Sequence, residues 1–275
     1  GLGLLSGLLS AVLTIGFLSL FETVFDILSP LRLLELSNPN HPLLRKLLVE
    51  APGTYHHSVM VANLAEAAAE AIGADGLLAR VGAYYHDIGK IKRPQFYIEN
   101  QMQMGNPHDK ISPHLSKTII LSHPEDGVKM LEEYRIPKPI RDIAAQHHGT
   151  TLLKYFYHKA KELNGGNQVL EEEFRYPGPK PQFKEAAIVG IADCIEAAVR
   201  SLSRPTPGRI ESLVRKVIRE RLEDGQFDNC DLTMKELELI ARSICETLQG
   251  IFHVRIEYPE EVSRKGKDVK NGAVG

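Results

Sequence analysis

Eleven histidines are spread along 275 residues, and several stand beside an aspartate or another histidine. In chain order the set that stands out is His57, His86 with Asp87, His123, His147 with His148, and Asp193. Imidazole and carboxylate are the ligands that borderline divalent metals such as iron, manganese and zinc accept. Seven such groups are too many for one ion. They suit two ions that share a bridging carboxylate, each with room left for water. Adjacent His86 and Asp87 fit that arrangement: the imidazole binds one ion and the carboxylate reaches across to the second. Spacing alone leaves a second reading open, because no HxxxH or HExxH pair is present and histidines scattered over surface and core would look the same. His56 competes with His57. Neighbours on a helix face about 100° apart, so only one of the two points into a shared site.

Nearly everything that must position these residues reads as helix. "HPLLRKLLVE" is a short amphipathic segment closed by Pro52-Gly53. Thr54 caps a helix through "YHHSVMVANLAEAAAEAIG" that Gly73 ends, and Asp75 opens "GLLARVGAYYHD". Ser122 with Glu125 forms a capping box for "HPEDGVKMLEEYRI", with Pro124 near the first turn. "PIRDIAAQHH" and "TLLKYFYHKAKEL" follow, then "KEAAIVGIADCIEAAVRSL", "GRIESLVRKVIRERLEDG" and "MKELELIARSICETLQGIF". The last of these has Thr233 and Glu236 as its capping box. Residues 91–113 and 164–183 read as long loops, which inside a compact helical domain tend to carry function. "HVRIEYPEE" reads as a short extended piece, and the charged tail beyond it as disordered. The pattern predicts an all-α, multi-helix bundle, with no repeat and no strand signal.

A net charge of −2 and a pI near 6.6 give no case for a nucleic-acid polymer as partner. Cys194, Cys230 and Cys245 are odd in number and widely spaced, which fits a reducing compartment and no disulfide framework. Cys194 reads as a small core residue. Gly1 to Phe21 carry no charge, and as a helix would span about 30 Å, the hydrocarbon thickness of a bilayer. No basic leader or small-residue cleavage site marks a signal peptide. The segment is expected to be a transmembrane helix ending a truncated membrane region; a buried apolar helix is the alternative. Gly3 and Gly7 form one GxxxG, a hint of close helix contact. Arg32, Arg45 and Lys46 place the following domain in the cytoplasm.

The order H…HD…H…HH…D, with "HSVMVANLA" around His57, resembles the HD-domain superfamily of metal-dependent phosphohydrolases. The seven-residue set is similar to its dinuclear phosphodiesterases, which include the HD-GYP enzymes of cyclic di-GMP. "HDIGKIKRPQFYIENQ" departs from HD-GYP, since no GYP follows. "NPHDKISPHLSKTIILSHPEDG", "FRYPGPKPQ" and "SLSRPTPGRIESLV" instead resemble the membrane-anchored seven-transmembrane HD family, the PgpH type, over about residues 50–255.

That resemblance implies an HD-domain helical bundle holding two divalent metal ions, iron or manganese. His57, His86, Asp87 and Asp193 would hold one; Asp87, His123, His147 and His148 the other. The implied reaction is hydrolysis of cyclic di-AMP to pApA by attack of a metal-bridging hydroxide on phosphorus. Asp87 and Lys90 are the expected catalytic residues, Lys90 clamping a phosphate oxygen. Phe96 and Tyr97 are candidates for stacking on a base, and Arg175 and Tyr176 for lining the nucleotide. Arg200, Thr206 and Arg209 are candidates for a second phosphate. His108 and His114 read as surface or supporting residues, and His41, His158 and His253 as having no role. The expected organisation is a membrane-spanning helix at 1–29, a phosphodiesterase domain at 30–260 and a disordered tail at 261–275. A cell-membrane location, with the domain cytoplasmic, and a homo-oligomer go with that reading. The alternatives are a phosphodiesterase for another cyclic dinucleotide or nucleotide, and a non-hydrolysing receptor domain. Absence of GYP argues against cyclic di-GMP, and retention of all seven positions argues against a receptor.

Overall fold

The computed structural model describes residues 2–25, 28–101, 105–165 and 169–253, with backbone alone at residues 18, 19, 21–23, 25, 252 and 253. The chain opens with α1 (Leu2–Phe25), α2 (Pro30–Leu36), α3 (Pro42–Glu50), α4 (Pro52–Ala71) and α5 (Gly76–Tyr85). Then come α6 (Pro113–Leu121), α7 (His123–Glu133), α8 (Lys138–Gln146) and α9 (Lys154–Leu163). The long helices α10 (Lys184–Arg200), α11 (Pro207–Glu223) and α12 (Met234–His253) complete the bundle. Among the described residues there is no strand, only an isolated bridge pairing Leu152 with Arg175. The all-α expectation holds. The extended piece expected after His253 and the tail at 261–275 lie outside the described residues.

α4 is the central element and packs on α5, α10 and α12. Its Ala62, Ala65, Ala68 and Ala69 are fully buried. Such short side chains let neighbouring helices approach closely, which brings residues from different helices to one point. One apolar cluster joins α4 to α10 and α12 through Val61, Leu64, Ile188, Ile191, Ile240 and Ile244. A second, with Leu43, Leu47, Tyr85, Ile88 and Ile140, joins α3, α5 and α8.

Several expected helix boundaries change. α4 starts at Pro52, where a missing N–H costs nothing, so Pro52 opens this helix rather than closing the one before it. Thr54 lies inside the first turn, not at the cap. Its N–H is capped from outside by Asn100 Oδ1 at 3.1 Å, and Asn100 Nδ2 donates to Thr54 Oγ1 at 2.8 Å. The Ser122–Glu125 box does not form. Ser122 is also the C-cap of α6 and keeps helical angles (φ −79, ψ −18), whereas a capping side chain needs extended backbone. Its hydroxyl donates to Ile119 O instead, at 3.0 Å. Gly73 (φ +73) ends α4 in the left-handed conformation, and Asp75 Oδ1 caps α5 by accepting from Leu78 N at 2.9 Å, both as expected. The Thr233–Glu236 box also forms, with Glu236 N donating to Thr233 Oγ1 at 3.2 Å. The expected loop at 91–113 is a chain of short 3₁₀ turns, and α6, which the sequence reading passed over, follows it behind the Ser112 cap.

α1 exposes Leu2, Leu4, Leu8, Val12 and Ile15, which corrects the alternative of a buried apolar helix. Among the described residues no helix is long and apolar enough to cross a membrane.

Candidate metal centre

Three of the histidines sit where helices end. The last carbonyls of a helix have no partner within it, so an imidazole following the last turn can donate to one. His86, the C-cap of α5, donates from Nδ1 to Ala83 O at 2.7 Å. His147, the C-cap of α8, does the same to Ala144 O at 2.9 Å. His123, just past the end of α6, donates to Ile120 O at 2.6 Å. Each bond fixes the ring and leaves Nε2 as the free nitrogen. That is the reason for a helix ending on His86: its own last turn aims it.

The free nitrogens converge on Asp87. Asp87 Oδ2 lies 3.2 Å from His86 Nε2 and 3.6 Å from His57 Nε2, while Oδ1 lies 3.2 Å from His123 Nε2 and 3.8 Å from His147 Nε2. One carboxylate oxygen therefore faces each half of the site. Asp193 Oδ1 is 3.0 Å from His57 Nε2, and its Oδ2 is 3.7 Å from His148 Nδ1. The donor atoms form two groups: Asp87, His123, His147 and His148, and His57, His86, Asp87 and Asp193. Within each, the atoms lie no more than 4.8 Å apart. This is the division the family resemblance implied, with Asp87 common to both.

The donors also fit cations by what they lack. Nε2 of His86, Nε2 of His147 and both oxygens of Asp87 are buried without a hydrogen-bond partner. Each such group costs about 1–3 kcal/mol when left unsatisfied. Four of them facing one space, all nitrogen or carboxylate oxygen, suit a pair of borderline divalent ions.

Two glycines allow the approach. A Cβ on Gly89 would lie 2.1 Å from His123 O, and one on Gly190 would lie 2.1 Å from His147 O. Gly89 lets the 3₁₀ turn Ile88–Lys92 press on the start of α7, and Gly190 lets α10 press on the end of α8.

The charges divide unevenly. Burial opposes ionisation of Asp87, but the charges of His86 and Lys90 and a hydrogen bond from His123 outweigh it and hold the carboxyl well below its ordinary range. Burial works against a proton on His86 as well, yet Asp87 and Asp193 raise it to about 10. Burial and the charge of His86 push His147 down to about 3. His86 thus keeps a proton at neutral pH, and its raised value adds stability that is full below 6.5 and lost as pH rises through about 10. A cation must displace that proton. Mn²⁺ binding at pH 7 is therefore expected to release at least one proton, and apparent affinity to climb with pH, about tenfold per unit for each proton displaced. Titration calorimetry in buffers of differing ionisation enthalpy measures the release; pH-independent binding would contradict it.

The remaining candidates separate. Lys90, eclipsed over Asp87 by the three-residue repeat of its 3₁₀ turn, puts Nζ 2.6 Å from Asp87 Oδ2 and 3.0 Å from Glu99 Oε1. Tyr176 stacks on His148 (ring centroids 4.2 Å apart) and, with His148, lines a cavity of about 220 Å³. Tyr97 is buried edge-on against His123, with its hydroxyl on Ile119 O at 3.3 Å, so it is not free to stack on a base. Phe96 packs its ring on His108. Arg175 is occupied elsewhere, bound to Asp224, Glu171 and the carbonyl of Thr150. Thr206 and Arg209 are exposed at the start of α11 with no contact to the centre, and Arg200 pairs with Glu196. These assignments replace the expected nucleotide contacts for Tyr97, Arg175, Thr206 and Arg209.

His57 rather than His56 is the inward residue, as the helix geometry required; His56 is exposed. His108 is buried and donates to or accepts at Phe96 O, and His114 is exposed near Glu173. Cys194 is half-buried, with Sγ accepting from Arg221 at 3.3 Å. The sequence reading missed Glu99, which fastens Lys90 to Thr54 Oγ1, and Glu196, which binds His57 Nδ1. The signal for Glu196 was its place one helical turn after Asp193 in an otherwise apolar helix.

The HD domain family model matches residues 54–198. The cyclic-di-AMP phosphodiesterase PgpH of Bacillus subtilis (strain 168) is 67% identical over 263 residues, 96% of this chain and 37% of the relative. The cyclic-di-AMP phosphodiesterase PgpH of Listeria monocytogenes is 55% identical over 261 residues, 95% of this chain and 36% of the relative. The chain thus spans little more than a third of the length of these relatives. A crystal structure of the L. monocytogenes PgpH HD domain in complex with cyclic-di-AMP is 57% identical, with a TM-score of 0.75. That match covers 78% of this chain and 100% of the crystallised one.

Proposed function

The chain belongs to the HD domain family, and on that basis we propose that it is a phosphodiesterase that hydrolyses cyclic di-AMP to pApA. The observation that carries the proposal is the meeting of two four-donor groups at a single carboxylate, Asp87. A phosphodiester is an anion with a poorly electrophilic phosphorus. Two divalent ions held by these groups, iron or manganese by their donor set, would lower the pKa of a water and offset charge on the phosphate and leaving oxygens.

The chain's own residues do the rest. The imidazoles, held by backbone carbonyls or by Glu196, stay fixed as ligands. Lys90 sits at the rim of the same space, held by Glu99 at 3.0 Å, and offers its charge to a phosphate oxygen. Tyr176, stacked on His148, supplies an apolar wall beside the centre. Water adds its oxygen to phosphorus, the P–O3′ bond breaks, and the 3′-oxygen leaves with a proton. A location at the cytoplasmic face of the cell membrane is part of the same proposal, supported by the exposed leucines of α1.

The test is turnover of cyclic di-AMP beside cyclic di-GMP by the Mn²⁺-loaded chain. Preferential release of pApA is the expected result. Tight binding of cyclic di-AMP to the loaded protein without product would point to a receptor instead, and faster cleavage of cyclic di-GMP would discard the base assignment.

A further inference from the structure

His57 is held differently from the other ligand histidines. His86, His123 and His147 lie at helix ends and use spare carbonyls there. His57 lies well inside α4, where the main-chain carbonyls are taken up by the helix itself. Its Nδ1 must find a partner on another element, and that partner is the Glu196 carboxylate of α10. Glu196 is 7% exposed, and its second oxygen accepts from Arg200, whose side chain reaches solvent. On α10, Asp193 and Glu196 are one turn apart, so both face α4. Asp193 meets His57 Nε2 and Glu196 meets Nδ1, and the ring is clamped between them.

A carboxylate differs from a carbonyl by a full negative charge. Hydrogen-bonded behind a ligand imidazole, it makes the ring a stronger donor as well as orienting it. The three histidines held by carbonyls receive orientation with less of that push. We propose that Glu196 is a positioning residue that makes the group of His57, His86, Asp87 and Asp193 the tighter of the two cation sites. Arg200 holds Glu196 in place from the rim and moderates its charge. This inference rests on the two-cation reading of the centre. It gives the two halves unequal roles: one ion stays resident, and the ion of Asp87, His123, His147 and His148 exchanges more readily.

The test is Mn²⁺ binding to the full chain without substrate, followed by titration and by electron paramagnetic resonance, which distinguishes a spin-coupled pair from isolated ions. In the parent, two unequal sites and a coupled pair are expected. Glu196→Gln keeps the size and a polar contact but removes the charge. It is expected to weaken the tighter site about 10- to 100-fold and leave the weaker one within about threefold, so that the two converge. Glu196→Asp is expected to recover part of the loss. Thermal unfolding of the metal-free proteins separates positioning from folding, and the midpoints should agree. Unchanged affinity at both sites in Glu196→Gln would overturn the assignment. So would equal loss at both sites with a lowered metal-free midpoint, since that is the signature of a merely structural residue. A parent that binds no Mn²⁺ would remove the two-cation reading itself and this inference with it.

Discussion

Replacing Asp87 with alanine is expected to lower turnover of cyclic di-AMP by about a thousandfold or more and to abolish paired metal binding. The reason is position. Asp87 is the one residue common to both donor groups, and its two oxygens face different histidines, His86 and His57 on one side and His123 and His147 on the other. No neighbour can take its place, because Asp193 lies across the site between His57 and His148. Losing a bridging ligand removes metal-ion stabilisation of several kcal/mol from the transition state, and each 1.4 kcal/mol is about tenfold in rate. The same substitution removes the partner of buried Lys90, which retains Glu99. The variant is therefore expected to remain folded, and circular dichroism together with metal analysis distinguishes lost chemistry from lost structure. A variant that keeps two equivalents of Mn²⁺ and more than a tenth of parental turnover would rule out Asp87 as the bridge.

The ligand set was legible because its residue types are unusual and its punctuation is local. Histidine at the end of a helix signals a ring that the helix end can hold, and His86, His123 and His147 all obey that rule. The seven residues do not form one sequence motif, so spacing alone left scattered histidines as an alternative; burial and convergence remove it. The supporting layer was less legible. Glu196 and Glu99 act across long sequence separations, and nothing beside them in the chain announces a partner on α4 or at Lys90. Arg175 misled for the opposite reason. Its residue type suits phosphate, but Asp224 lies near enough to take both arms of the guanidinium. Ser122 failed as a cap because one residue cannot both end α6 with helical angles and open α7 with extended ones. Local patterns thus located helices and ligands, while tertiary neighbours decided which polar residues were already occupied.

Gly89→Ala is expected to destabilise the domain by about 1–3 kcal/mol and to weaken metal binding by the group containing His123. An added Cβ would lie 2.1 Å from His123 O and 2.6 Å from Gly127 N, and both neighbours are backbone. A flexible side chain could move aside; a main-chain carbonyl at the first turn of α7 moves only with the helix. Either the turn Ile88–Lys92 retreats, carrying Asp87 with it, or the start of α7 retreats, carrying His123. Both routes lengthen the 3.2 Å approach of His123 Nε2 to Asp87 Oδ1. At about 2–4 °C per kcal/mol for a domain of this size, the thermal midpoint should fall by roughly 2–12 °C. Gly208→Ala in the first turn of α11 is the control, because nothing lies within 4 Å of its added Cβ. That change should be neutral or slightly stabilising. Loss of stability in Gly89→Ala with both cation sites intact would mean that this close approach serves packing alone. Loss confined to the His123 group, with His57 and its partners still binding, would mean that the glycine after the His-Asp pair is required because the bridging carboxylate must reach a second helix.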